Sequence, residues 1–149
     1  MIKSYRGRLV HLGKEKIRLE TPQGKMGYRI HKLEIINVQP GALDYEHIVQ
    51  VWKQLPSDQA YYDNVKFDDS NLLGVAYLKG DTAETNSDSS TIIFDNEIFN
   101  QDIFITHSDL KDGVQCNYYM ELEQIKLNEQ EALVAITKNL RTEAQGPIP

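Results

Sequence analysis

The sequence predicts a mainly β protein: an antiparallel β-sandwich, jelly-roll-like or immunoglobulin-like, with a short C-terminal helix. Three observations predict it. About eight short apolar or alternating runs are separated by turn signals between residues 1 and 127, the pattern of a two-sheet all-β domain. The densest strand signal lies in residues 90–127, where runs at 91–94 and 103–106 bracket an Asp/Asn-rich connection and a long alternating run follows at 116–127. Helical spacing of apolar residues enters only after Asn128, which argues against alternating strands and helices. A closed barrel is the runner-up architecture.

Residues 2–12 begin the chain as a weak peripheral strand, with Ile2, Ser4, Arg6 and Arg8 on one face and Lys3, Tyr5, Gly7 and Leu9 on the other. Residues 15–21 alternate more cleanly: Ile17 and Leu19 point one way, Lys16, Arg18 and Glu20 the other, as a half-buried strand requires. Pro22 and Gly24 then supply turn chemistry, so residues 27–38 are expected to return antiparallel to residues 15–21. Within that return, Tyr28 and Ile30 share one parity while Leu33 and Ile35 share the other. A β-bulge near His31 and Lys32 would restore one apolar face, whereas a strand covered on both sides would need none.

Gln39, Pro40 and Gly41 mark a second turn, and residues 46–55 carry apolar side chains on both faces, as a central strand does. Residues 56–70 are irregular and polar, residues 72–78 resume as a strand, and residues 80–90 hold only Ala83 as an apolar side chain. Such a segment cannot offset its ordering entropy by burial and is expected as a mobile surface loop. The runs at 91–94, 103–106 and 116–127 are expected as neighbouring antiparallel strands. In the last, Cys116, Tyr118, Met120 and Leu122 share a face until the parity shifts at Ile125 and Leu127, by a second bulge or by exit from the sheet. Asn128 can cap a helix with Glu131 at the capping-box position, and Leu133, Ile136 and Leu140 fall on one face of it. Gly146 to Pro149 cannot continue that helix. Residues 1–127 thus form the β-sandwich, with residues 128–149 as a helix and extended tail of the same domain.

The 149 residues suit one compact domain. No window approaches the roughly 20 consecutive apolar residues of a membrane span, the first residues lack the apolar core of a signal peptide, and the chain is expected to begin near Met1. The net charge of -6 is divided unevenly: residues 1–35 carry nine Lys/Arg against Glu15, Glu20 and Glu34, for +6, and the remainder carries -12. That polarity either offers a face to an acidic partner or sets basic strands beside the chain's own acidic ones.

Local motifs for chemistry are missing. His11, His31, His47 and His107 are scattered, Cys116 is the single cysteine, and none stands at metal-ligand spacing in sequence. No intramolecular disulfide can form. Asp109, Asp112 and Gly113 are superficially like part of a calcium loop but lack its alternating oxygen ligands, so a solvated turn is expected there. A nucleophile elbow and a phosphate-cradling loop are both missing. The sequence therefore assigns no catalytic, cofactor or metal residue, predicts no enzyme, and predicts folding without a metal. Candidate partner-binding residues are the cations Lys3, Arg6 and Arg8, the loop aromatics Tyr61 and Tyr62, and the helix stripe Leu133, Ile136 and Leu140.

Segments 17–21 (Ile-Arg-Leu-Glu-Thr), 24–30 (Gly-Lys-Met-Gly-Tyr-Arg-Ile), 92–103 (Ile-Ile-Phe-Asp-Asn-Glu-Ile-Phe-Asn-Gln-Asp-Ile) and 116–123 (Cys-Asn-Tyr-Tyr-Met-Glu-Leu-Glu) resemble small virion-associated structural proteins of marine tailed bacteriophages. The similarity spans most of residues 1–141. These segments define strands, so the resemblance implies a particle component without transferring active-site residues. It implies a virion location after synthesis in the host cytoplasm, and partners among the major capsid protein or other virion proteins. A homo-oligomer is expected, with neither a membrane nor specific nucleic-acid binding. A capsid decoration (cement) protein is the leading expectation; a tail, connector or appendage module, or a carbohydrate-binding β-sandwich, is the alternative.

Overall fold

The computed structural model describes residues 1–19, 25–41, 44–80 and 89–127. Among them are eight strands: β1 (Ile2–Leu9), β2 (Lys14–Ile17), β3 (Met26–Asn37), β4 (Tyr45–Trp52), β5 (Leu72–Gly80), β6 (Ser89–Phe94), β7 (Ile103–Asp109) and β8 (Cys116–Lys126). One 3-10 helix, Gln59–Asp63, lies between β4 and β5. The strands form two antiparallel sheets, ordered β1-β8-β3 and β2-β7-β4-β5-β6. The protein is thus mainly β, as its patterning predicts. The expected helix with Leu133, Ile136 and Leu140, the turn at Pro22 and Gly24 and most of the 80–90 loop lie outside the described residues.

The pairing is nested. The first strand lies on the last, the second on the seventh and the fourth on the fifth. Just after β6 the chain leaves the five-stranded sheet, and Phe99 exchanges two backbone hydrogen bonds with Tyr28 on the free edge of β3, at 2.8 and 2.9 Å. One apolar core fills the space between the sheets, with Tyr28, Leu33, Met120 and Leu122 from one side and Val49, Ile103 and Ile105 from the other. Each such side chain, fully buried, stabilises the fold by roughly 1.5–3 kcal/mol.

Two expectations about neighbours are corrected. Residues 15–21 and 27–38 do not form a hairpin: β2 pairs with β7, and β3 pairs with β8 in the other sheet. Local turn chemistry suggested the hairpin, but burial decides the partner. Ile17 of the four-residue β2 meets Ile103 on β7, whereas among the described strands the twelve residues of β3 find one of matching length and alternation in β8. Nor are β6, β7 and β8 neighbours: β6 is an edge strand on β5, β7 lies between β2 and β4, and β8 belongs to the opposite sheet. The Asp/Asn-rich connection from β6 to β7 carries the buried Phe99 and reaches over to the edge of β3 in the opposite sheet before returning to its own.

Other expectations hold. The register of β3 shifts between Ile30 and Lys32, so the extra residue His31 lets Tyr28, Ile30 and Leu33 all face the core. β4 is central, and the 3-10 helix covers its outer face: Gln50 Nε2 donates to the carbonyls of Tyr61, Tyr62 and Asn64. β8 shows no second bulge: from Ile30↔Leu122 to Met26↔Lys126 its pairing with β3 is unbroken, so Ile125 is still in the ladder opposite Gly27 and half-buried, and only Leu127 lies beyond the strand's end at Lys126.

Candidate functional site

Alternation on four strands brings polar side chains into the core between the two sheets, near one end of the strands. His47 follows the inward parity of Val49 and Val51 on β4, and His107 follows Ile103 and Ile105 on β7. Cys116 and Asn37 close the group from β8 and β3; all four are buried. His47 Nδ1 stands 2.8 Å from His107 Nε2, His107 Nδ1 stands 2.8 Å from the Val10 carbonyl, and His47 Nε2 stands 2.9 Å from Asn37 Nδ2.

Those contacts assign the protons. A carbonyl only accepts, so His107 Nδ1–H donates to Val10 and His107 Nε2 accepts from His47 Nδ1–H. His47 Nε2 then accepts from the Asn37 amide, whose Oδ1 accepts the Gln39 N–H at 2.7 Å. Every member is satisfied with both rings neutral. Burial is the main cause that pulls His47 down to a pKa of about 4, with His107 second, and burial lowers His107 as well. The Tyr45 ring stacks on His47 with centroids 5.0 Å apart.

Asp109 is 3% exposed at the next inward position of β7. Its carboxylate accepts N–H groups of Val114 (2.6 Å), Glu46 (2.8 Å) and Lys111 (3.3 Å). Burial works to raise its pKa, but these donors outweigh it and hold the group below the ordinary carboxylate value. Asp112 is exposed, so the two acids do not converge on a calcium site. The Cys116 thiol donates weakly to the Ile36 and Asn117 carbonyls, and burial pushes its pKa up to about 12, so as a free thiol it is no nucleophile. The ligand atoms of His47, His107 and Cys116 all lie within 4.8 Å of one another. The sequence hides this cluster because its members are far apart in the chain; the one available signal was that each shares the parity of core residues.

A second candidate site is on the surface. β1 is the edge of the three-stranded sheet, and Arg6 and Arg8 project from its outer face. With Ile36, Asn117 and Tyr119 they line a shallow groove. Elsewhere on that face Arg29 pairs with Glu123 at 2.8 Å, and His31 Nε2 stands 3.8 Å from Glu121 Oε1. Lys3 is half-buried on the opposite face of β1, its Nζ 5.9 Å above the Tyr28 ring, so it does not join Arg6 and Arg8. Tyr61 is half-buried beneath Lys66 Nζ, and Tyr62, 2% exposed, is the buried side chain of the 3-10 helix.

No family model matches the chain, and no curated protein matches it significantly.

Proposed function

We propose that this chain is a structural, non-enzymatic protein of a tailed-phage particle, with decoration of the head its leading role. The reading rests on the resemblance of its strand segments to virion-associated proteins. The observation that carries it here is the outer face of β1, where Arg6 and Arg8 stand exposed beside Ile36 and Tyr119, a charged edge suited to an acidic partner. The nested strand order supports a jelly-roll sandwich rather than an immunoglobulin one, and jelly rolls recur in capsid and lectin domains. Partners are the major capsid protein or other virion proteins, with several weak contacts per copy summing to lattice avidity. A tail, connector or appendage position uses the same face.

Carbohydrate binding is the weaker alternative. It calls for a flat platform of exposed aromatic rings, whereas the large exposed hydrophobics among the described residues are mostly aliphatic. They include Ile2 and Ile93 on the edge strands β1 and β6, and Phe67 is the one aromatic side chain in that set. Apolar edges favour assembly.

The test mixes purified protein with undecorated heads across a salt series. Binding weakens as salt rises, because exposed charges are screened over about 10 Å at 0.1 M ionic strength, and the Arg6→Glu, Arg8→Glu double variant binds poorly at low salt. Equal binding by that variant removes the electrostatic face, and no binding by the wild type at any salt removes the decoration role.

A further inference from the structure

The geometry points to a binding site for a single borderline-soft cation, with Zn²⁺ as its representative, formed between the two sheets by His47, His107 and Cys116. Two imidazoles and one thiol are the donor types that such ions select. The three converge from β4, β7 and β8 with ligand atoms within 4.8 Å of one another. The surroundings fit as well. A metal-bound imidazole characteristically gives its other ring nitrogen to a carbonyl or carboxylate, which fixes its orientation. Here His107 Nδ1–H donates to the Val10 carbonyl as that pattern requires, whereas His47 Nε2 accepts from the Asn37 amide in the metal-free protein and reverses that bond when the cation binds.

Charge supplies an independent argument. Asp109 is a buried carboxylate held by three backbone N–H groups, and no ion pair joins it to a Lys or Arg among the described residues. Those donors already stabilise the carboxylate, and a cation close to it in the interior interacts favourably with it as well. Zn²⁺ with one thiolate leaves a single positive charge beside it, so cation and carboxylate together neutralise the interior.

The protons balance. Entry of the cation sends the Cys116 thiol proton to solvent and shifts the His47 proton from Nδ1 to Nε2. The Asn37 amide, turned over, accepts it through Oδ1, and Gln39, which is exposed, gives its N–H to water. The imidazole nitrogens part from 2.8 Å to the roughly 3.3 Å set by two bonds of about 2.0 Å to a tetrahedral ion. The hydrogen-bonded pair serves the metal-free protein, so the cation reinforces the fold without being needed for it.

The test uses the full chain, reduced and stripped with chelator, titrated with Co²⁺. A thiolate-to-cobalt charge-transfer band saturating at one equivalent, reversed by Zn²⁺ and lost in Cys116→Ser, is the expected result. No such band in the wild type, or a band retained in Cys116→Ser, overturns the site. Zinc X-ray absorption on the wild type reads the ligands independently of any variant's folding. A shell with one sulfur near about 2.3 Å and two imidazole nitrogens near about 2.0 Å supports the site, and a shell without sulfur refutes it.

Discussion

His47 Nδ1 and His107 Nε2 are 2.8 Å apart in a core that excludes water from both rings, so one proton lies between two imidazoles that are both neutral. A second proton would set two donors face to face. Stability of the metal-free protein should therefore depend on pH. His47 has its pKa lowered from 6.5 to about 4, so between those values the unfolded chain binds a proton that the folded one refuses. The contribution is fully present above about pH 6.5 and is lost as pH falls toward about 4, by on the order of 3 kcal/mol for His47 alone. Denaturant midpoints measured with chelator present should fall through that window. A flat profile would mean that the rings are not held neutral by burial.

Lys53, just beyond β4, is 5% exposed and places Nζ 2.8 Å from Glu97 Oε1 in the segment that crosses between β6 and β7. Glu97→Gln leaves an ammonium in the interior without its counter-charge. The expected loss is about 2 kcal/mol, less than for a sealed pair because the Glu97 side chain keeps 25% of its surface exposed. Replacing both, as Lys53→Met with Glu97→Gln, should recover part of that loss. A single variant as stable as the wild type would show that the pair contributes nothing.

The strands were legible because alternation is a local property: the inward set Cys116, Tyr118, Met120 and Leu122, the central β4 and the bulge at His31 all follow from neighbouring residues. Strand partners were not legible. Pro22 and Gly24 spoke for a hairpin, while the actual partners of β2 and β3 lie some eighty residues or more away in β7 and β8, chosen by which pairing closes the core. The histidine pair is hidden for the same reason, since no spacing rule connects His47, His107 and Cys116 before the sheets exist. Arg6 and Arg8 could be read as a charged edge; the separation of Lys3 from them needed only the parity of β1.

Gly7 of β1 faces Tyr118 of β8 directly, and a Cβ there would stand 2.9 Å from the ring and 3.1 Å from its hydroxyl. That hydroxyl donates to Glu15 Oε2 at 2.9 Å, a hydrogen bond from one sheet to the other. Gly7→Val must move the ring, break that bond and disturb the core above it. The expected cost is about 2 kcal/mol by overpacking, read as a shifted denaturation midpoint. An unshifted midpoint would mean that β1 can slide away from β8 freely.

The bulge allows a comparison between two single-residue deletions three positions apart. Ile30 faces Leu122 and Lys32 faces Glu121, so His31 is the one β3 residue there without a partner on β8. Deleting His31 joins two segments already in register: Ile30 and Leu33 stay inside, Lys32 stays outside, and the cost should be near 1 kcal/mol, that of an ordinary substitution. Deleting Glu34 instead slips everything after Leu33 by one residue, and a one-residue slip exchanges the two faces. Ile35 would turn to solvent, Ile36 would enter the core, and Asn37 would leave His47 with a buried nitrogen lacking its donor. That deletion should cost about 3 kcal/mol or more. Far-UV circular dichroism melts of both variants decide the matter: a His31 deletion as damaging as the Glu34 deletion would refute the bulge as the device that keeps β3 in phase with the core.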